Sequence, residues 1–592
     1  YDCPIFPQLV HSGPWHRKEY SGLDPIASSD NIRVEEGGRP SATKAATISQ
    51  IHQVVEKFVQ AAERYKKAGF DGVEINASGN HLLNSFLSRG FNTRHDEYGC
   101  DTFENRARIV TEIIQGFKQT LGDSFPVSVL FNGMEYNIEN GLTIEETQAF
   151  AQIFQKAGAD LIVVRVDGVG KYLSSHYPEL VHYPEPPKPL GDMLDGSRHG
   201  KGGYVPVAAA IHKVVTVPVE AVGRVDPLMG EQILRDGKAD FIGMTKRLIA
   251  DPELPHKVAE GRLEDIAPCT ACETCISYRV YRLPVRCRIN AAIGTEDGYV
   301  LKPASKKKKV VVVGSGPAGM EAARVAATRG HEVALYEKEK KLGGMLQLAG
   351  LVKGYELEDL TELVQYWDTQ LKKLGVKVKL GTEFTPAMID EVKPDAVILA
   401  TGGKPFTSTI PGIDGKNVVS GPALHRMLKF YLRFFNPKFL RAMTKIWMPV
   451  GKKVVIIGGA IQGAELAEFL VKRGRKVSII GLETEKGEIG DGLARRKQLK
   501  LIEWLGEKGV PMITQAKVNR VTNKGVNITT KDGKSQTIEG DTIVPALPYL
   551  PNTDLYNALK GRVPEVHLVG DGRDPRLILD AVYEGWSAAC SL

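Results

Sequence analysis

Up to about residue 265, short apolar runs rich in β-formers alternate with longer stretches whose apolar residues return every three to four positions. The runs are Phe6 to Val10, Gly72 to Asn76, Pro126 to Phe131, Asp160 to Arg165, Pro218 to Gly223 and Asp240 to Met244. Ile51 to Ala68 and Thr143 to Ala157 carry the helical period between them. Parallel strands need a crossover connection, so this alternation predicts a parallel sheet, either open or closed into a (β/α)8 barrel. About six strands can be counted, and a closed barrel needs two more. The expectation is a TIM barrel lacking its first strands, with the missing pair before Tyr1.

A second pattern begins after a basic linker. A strand of four valines, Val310 to Val313, runs into Gly314, Gly316 and Gly319 in G-x-G-x-x-G spacing, then into a helix from Met320 to Arg329 and a strand ending at Glu337. The first glycine makes the tight turn, the second lets backbone approach a pyrophosphate, and the third packs helix on strand. Glu337 falls where a carboxylate would accept the ribose hydroxyls. The plan recurs from Lys453 to Ile480, with Gly458, Gly459 and Gly463, but Ala460 takes the middle glycine slot and Gly481 the acid's place. Glu483 is a candidate substitute for that acid, and the choice between NADH and NADPH stays open.

Composition narrows the class. A chain of 592 residues has room for three or four domains at about 150 residues each. Hydrophobic and charged shares of 42% and 25% suit a soluble globular protein. The net charge of +7 is spread through local runs such as Lys306 to Lys309, too diffuse to argue for nucleic acid but compatible with anionic substrates. No apolar run reaches the roughly 18 residues of a membrane span, and no secretory signal opens the sequence, so a cytoplasmic location is expected. Residues 425–449 are basic and aromatic; they read either as a surface helix docking on a membrane or subunit, or as an amphipathic helix buried on a neighbouring domain.

Seven cysteines do not make a disulfide framework in so long a chain, and four of them crowd together. Cys269, Cys272, Cys275 and Cys287 read C-x2-C-x2-C-x11-C. Three thiolates on one loop and a fourth from the next segment give the sulfur set of a 4Fe-4S cluster; tetrahedral zinc, the rival, usually takes two separated pairs.

Two dinucleotide folds, the second inserted in the first, resemble the flavoprotein disulfide-reductase architecture, together with Gly343-Gly344-Met345, Ala400-Thr401-Gly402-Gly403 and the late Gly570-Asp571. With the barrel and the cysteines in this order, the whole chain resembles the 2,4-dienoyl-CoA reductase and trimethylamine dehydrogenase family, whose barrel is of the Old Yellow Enzyme group. Gln8 to Gly13, Asn92 to Gly99, Glu104-Asn105-Arg106, Ala221 to Arg224 and Gly243 to Arg247 carry the match in the barrel. The resemblance implies that Gln8, Gly223, Arg224, Gly243, Lys246 and Arg247 hold FMN. It further implies that Gly314, Gly316, Glu337, Gly344, Thr401 and Asp571 hold FAD, and that the second fold holds NAD(P)H.

The implied electron path runs from NAD(P)H to FAD, one electron at a time through the cluster to FMN, and then as hydride to an activated C=C bond. The substrate class implied is an enoyl- or dienoyl-CoA, an aromatic acyl-CoA or an enone. Where the family places a proton-donating tyrosine this chain has His81, which serves as a donor or is a packed histidine satisfied by backbone. His176, in a proline-rich loop with two His-Tyr pairs, is the second candidate, and His11 the third. Leu130 stands where many relatives carry an arginine beside the flavin. An amine dehydrogenase with an external flavoprotein acceptor and an electron-transfer subunit without its own substrate remain alternatives, and a homo-oligomer stays open. The expected domains are 1–265, barrel; 266–305, cysteine segment and linker; 306–424 and 546–592, FAD; and 425–545, NAD(P)H.

Overall fold

The computed structural model describes residues 3–592 apart from 17, 33–41, 137, 169–176, 182, 186–199, 297–300, 355–357, 407, 433, 436 and 483–488. Two compact units divide at Thr245 and Lys246.

The first unit is one parallel sheet of six strands in chain order: Gln8–Leu9, Val73–Ala77, Val127–Tyr136, Leu161–Gly168, Val219–Ala221 and Phe241–Ile242. These are the six runs read from the sequence. Helices Ile48–Lys67, Phe103–Leu121, Ile144–Ala157 and Val205–His212 lie between them. Two of these helices begin with a capping box, Thr47 with Gln50 and Thr143 with Glu146, which satisfies amides that would otherwise face water unpaired.

Alternation along each strand sends Val73, Ile75, Val129, Phe131, Ile162 and Val164 outward into a core with Phe58, Phe117, Phe150 and Phe154. The other set is polar: Gln8 pairs in register with Glu74 and Glu74 with Ser128, while Asn132 pairs with Arg165 and Val163 with Glu220. A fully buried parallel sheet ordinarily reads as continuous hydrophobics. A polar inner face is therefore a first sign of a binding surface.

In the second unit a five-stranded parallel sheet has the order Lys377–Leu380, Glu332–Glu337, Lys309–Val313, Ala396–Leu399, Glu565–Leu568. Its edge strand arrives from the far end of the chain, so the second fold is inserted in the first. That second fold is a six-stranded sheet in which Lys453–Ile457 lies between Lys476–Leu482 and Thr542–Pro545. The closing helix Ile578–Ser591 crosses Pro317–Thr328 so closely that a Cβ on Gly585 would lie 2.1 Å from the carbonyl oxygen of Ala318.

Candidate functional site

The C-terminal ends of the first unit's strands gather the polar residues, where a barrel's loops carry chemistry. Asn76 donates from Nδ2 to Gln8 Oε1 at 2.9 Å, and Gln8 donates to Glu74 at 2.6 Å. The loop after Val73–Ala77 turns through Gly79 and Asn80, both at positive φ. Asn132 fixes that loop by accepting the Gly79 amide at 3.2 Å, and the Trp15 indole donates to the Gly79 carbonyl at 2.9 Å. Next to Asn132, the buried Glu135 accepts from Asn84 Nδ2 at 2.9 Å and the Ser88 hydroxyl at 2.6 Å, and burial pushes its carboxyl upward. Burial, and then the charge of Glu74, lifts Glu220 to about 7.

The segment that carries His11 is tied to the start of the helix that His81 caps. The Leu82 amide donates to the His11 carbonyl at 3.1 Å, and His81 is the N-cap of helix Leu82–Leu87. His11 Nδ1 accepts the Gly13 amide at 3.1 Å, which leaves the proton on Nε2; burial, with His16 and Lys57 adding repulsion, holds the ring below the ordinary imidazole range. His11 is thus a neutral hydrogen-bond donor. His81 Nδ1 lies 3.4 Å from the Ser12 carbonyl oxygen, so Nδ1 carries a proton in that contact, and a proton to be given away must sit on Nε2. His176, with His182, lies outside the described residues.

The sequence reading passed over Arg165. Its guanidinium reaches across to the loop: a Cβ on Gly79 would lie 2.4 Å from Arg165 Nη2 and 3.5 Å from His81 Cδ2. The side chain is 14% exposed, its Nε is buried with no hydrogen-bond partner among the described residues, and its charge neighbour Asp167 stands off at 3.6 Å. An almost buried cation with an unused donor near the His81 imidazole is an acceptor-seeking group. The pattern that could have exposed it is an arginine in a run otherwise of Leu, Ile and Val, two residues beyond the position paired with Leu130.

At the other expected FMN positions, Gly223 (φ +111°) and Arg224 (φ +57°) turn through the left-handed region. Gly243 passes Glu220 so closely that a Cβ would lie 2.2 Å from Oε1. Lys246, expected at a flavin phosphate, has its ammonium 2.6 Å from Glu273 on the cysteine loop, and the charge of Arg247 is felt at Cys269.

The dinucleotide turns are well defined. A Cβ on Gly314 would lie 2.2 Å from the Ala400 carbonyl oxygen, and one on Gly319 would lie 1.9 Å from that of Gly314, so both must be glycine. A Cβ on Gly316 would meet nothing within 4 Å. That open space fronts the N-terminus of helix Pro317–Thr328, where backbone would approach an anion. Gly344 closes over Gly316, with a would-be Cβ at 3.2 Å from its Cα. Glu337 is oriented by the Ser315 hydroxyl at 2.7 Å and the Glu339 amide at 2.8 Å. Asp571, its carboxyl raised by burial, accepts the Arg576 amide at 3.3 Å, while Thr401 receives Asn552 Nδ2 at 3.4 Å.

In the second turn Gly458 and Gly463 repeat the 2.2 and 1.9 Å approaches. Ala460 has the backbone of Gly316, φ −65° and ψ −176° against −71° and −179°. Its methyl group therefore occupies what is open space in the first fold. Ile489 lies over Gly459, where a Cβ would meet its Cδ1 at 2.4 Å, and the Ile461 amide already donates to Asp491 at 2.7 Å. Glu483, the substitute acid, is outside the described residues.

All four clustered cysteines line one cavity, with Lys246, Thr270 and Arg288 in its wall. Ala271 and Glu273 sit at positive φ and bend the loop around it. Burial, then the neighbouring sulfurs and Glu273, pushes Cys275 up to about 12; burial and Cys272 push Cys287 to about 11. Four sulfurs lining one cavity fit a site meant for a cationic centre. Behind them lies a buried ion network unannounced in the sequence. Glu358 receives Lys497 at 2.9 Å, Lys353 at 3.2 Å and Arg288, and Lys497 also donates to the Ala271 carbonyl at 2.7 Å. These cations hold the Glu358 carboxyl well below the usual range.

Residues 1–265 match the NADH:flavin oxidoreductase / NADH oxidase family, and residues 308–566 match pyridine nucleotide-disulphide oxidoreductase. The chain is 33% identical to an NADH oxidase of Thermoanaerobacter brockii, over 100% of this chain and 85% of that protein. It is also 33% identical to a cinnamate reductase of Clostridium sporogenes, over 92% and 78%. Among solved structures, 2-naphthoyl-CoA reductase in complex with 2-naphthoyl-CoA is similar at 30% identity and a TM-score of 0.83, over 99% of this chain and 84% of that one. No helix among the described residues is long and apolar enough to cross a membrane.

Proposed function

This chain belongs to the 2,4-dienoyl-CoA reductase and trimethylamine dehydrogenase family, with flavin and NAD(P)H as its cofactors, and from that premise we propose that it reduces a C=C bond conjugated to a carbonyl. The observation that carries the reading is Arg165, a nearly buried cation with an unused Nε donor, reaching the loop that carries His81. A carbonyl oxygen that gains charge during reduction is stabilised by such a group. A substrate amine, protonated near neutral pH, would be repelled by it.

In this proposal Gln8, Gly223, Arg224, Gly243, Lys246 and Arg247 hold FMN. Gly314, Gly316, Gly319, Glu337, Gly344, Thr401 and Asp571 hold FAD, Gly458, Gly459 and Gly463 hold NAD(P)H, and the four cysteines hold a 4Fe-4S cluster. These groups would supply hydride acceptance, single-electron relay and hydride delivery. The chain's own part is to polarise and to protonate. Arg165 donates to the carbonyl oxygen, and neutral His11 can add a second hydrogen bond from Nε2. His81 Nε2 supplies the proton to the carbon next to the carbonyl when its ring is charged, its orientation held by Ser12 through Nδ1.

The test is anaerobic. Flavin bleached by NADH or NADPH should be reoxidised by trans-cinnamate, by 2-naphthoyl-CoA or by an enone such as cyclohexenone, and metal analysis should give about four irons per chain. Reoxidation by an amine-dehydrogenase acceptor alone, or zinc in place of iron, would overturn the proposal.

A further inference from the structure

We propose that the helical hairpin between the two dinucleotide folds is an anchor that seats its aromatic face in the surface of an anionic lipid bilayer. The hairpin consists of Gly421–Leu432 and Pro437–Met443, split where Pro437 cannot continue a helix. Its inner face is accounted for. Leu428, Leu432 and Leu440 close over Leu348 and Leu351. Arg441 donates from Nη1 to the carbonyls of Leu351 at 2.6 Å and Val352 at 2.9 Å, which ties the hairpin to helix Leu346–Lys353.

The exposed side chains of this segment are what a buried amphipathic helix would not have. Ile446 is 82% exposed, Phe434 69% and Trp447 62%, and Phe430, Phe435 and Phe439 stand out beside them. Single exposed apolar residues are ordinary, but rings packed on one another at the surface, Phe430 against Phe434 and Phe435 against Phe439, mark an interaction site.

Charge selects the occupant. From Gly421 to Pro449 the sequence carries six Lys and Arg and no Asp or Glu; with Arg441 turned inward, Lys438 and Lys445 are the exposed cations among the described side chains. Cations interleaved with Phe and Trp match the bilayer interface, where rings sit at the acyl boundary while Lys and Arg reach phosphate headgroups. A second copy of the same surface would bring like charges face to face. The hairpin would lie on the membrane without crossing it, since no described helix is long and apolar enough to span.

The experiment spins the holoenzyme with vesicles of phosphatidylcholine alone and of phosphatidylcholine mixed with phosphatidylglycerol, at ~0.05 M and ~0.5 M salt. Binding is expected only to the anionic vesicles, with release at high salt. Brominated lipid should quench Trp447, and W447F should abolish that quenching, the other tryptophans being buried or half-buried. K438Q/K445Q should bind roughly 25-fold more weakly, about fivefold for each charge at the surface. F434S/W447S should lose binding while flavin content, melting temperature and NAD(P)H oxidation stay unchanged. Failure to sediment with anionic vesicles, or equal binding to neutral ones, overturns the proposal. So does a dimer, seen by light scattering, that F434S/W447S dissolves, which would assign the face to a second copy.

Discussion

Replacing Glu358 by Gln keeps the side chain's shape and one acceptor oxygen but removes the anion on which three cations converge. Glu358 and Lys497 are each 2% exposed, so water cannot take the carboxylate's place. The three cations do not suffer equally. Lys353 still has Glu465, Lys497 still has the Ala271 carbonyl at 2.7 Å, and Arg288 is left with the Thr270 hydroxyl at 3.3 Å. Removing one member of a buried pair costs about 3–5 kcal/mol, and the surviving acceptors place E358Q near the lower end, about 3 kcal/mol. In a unit that runs from Lys246 to Leu592 that corresponds to a fall in melting temperature of roughly 4 °C.

Thermal unfolding of both proteins, followed through the buried Trp367 and Trp586, measures the gap. The folded carboxyl of Glu358 is depressed, so its contribution is complete above the unfolded value near ~4.5 and is lost as pH falls through the folded value. The gap between wild type and E358Q should therefore stay constant from neutral pH down to about 5 and close below ~4.5. E358Q/K497M, which also removes a stranded cation, should be more stable than the sum of the single changes predicts. A melting temperature for E358Q within a degree or two of wild type, or strict additivity in the double variant, would refute the argument.

Four further outcomes follow from the same geometry. R165M should lower kcat/KM for the unsaturated substrate about 10²–10³-fold, as loss of one donor to a developing oxyanion does, while flavin bleaching by NAD(P)H in stopped flow is unchanged. G316A should leave the melting temperature unaltered, since its Cβ meets nothing within 4 Å, yet weaken FAD retention on gel filtration; G319A should fail to fold because its Cβ would lie 1.9 Å from a carbonyl oxygen. C275A should lose iron, read by metal analysis, and lose substrate reduction while keeping NAD(P)H-driven reduction of FAD. E220Q should remove a loss of stability that wild type suffers as pH rises from ~4.5 towards about 7, because the raised carboxyl makes the folded state the better proton binder in that window; denaturant melts across that range would show it.

What the sequence disclosed and what it hid divide along the range of the forces involved. The strand order of the first unit was readable because apolar periodicity is local, and the dinucleotide turns were readable because Gly314, Gly319, Gly458 and Gly463 are required by backbone contacts of under 2.5 Å with neighbours set by the turn itself or by the adjoining strand. Spacing alone brought the four cysteines together, since three share one loop. The ion network was not readable: Arg288, Glu358 and Lys497 are spread over some two hundred positions, and no local rule marks a charge that tertiary packing will bury. The basic aromatic stretch was legible as amphipathic but not as exposed, because the leucines that pack on Leu348 and Leu351 and the rings that face outward differ only in which side of the helix the fold covers. Arg165 combines both difficulties. Its place in an apolar run shows that it is unusual, but only the crossing to Gly79 places it at the mouth, two positions above the register of Leu130. If that cation and not the histidines sets how well a carbonyl is bound, R165K should retain more activity than R165M, since it restores the charge without the planar fork. Undiminished activity in both would move the anchoring role to His81 and His11.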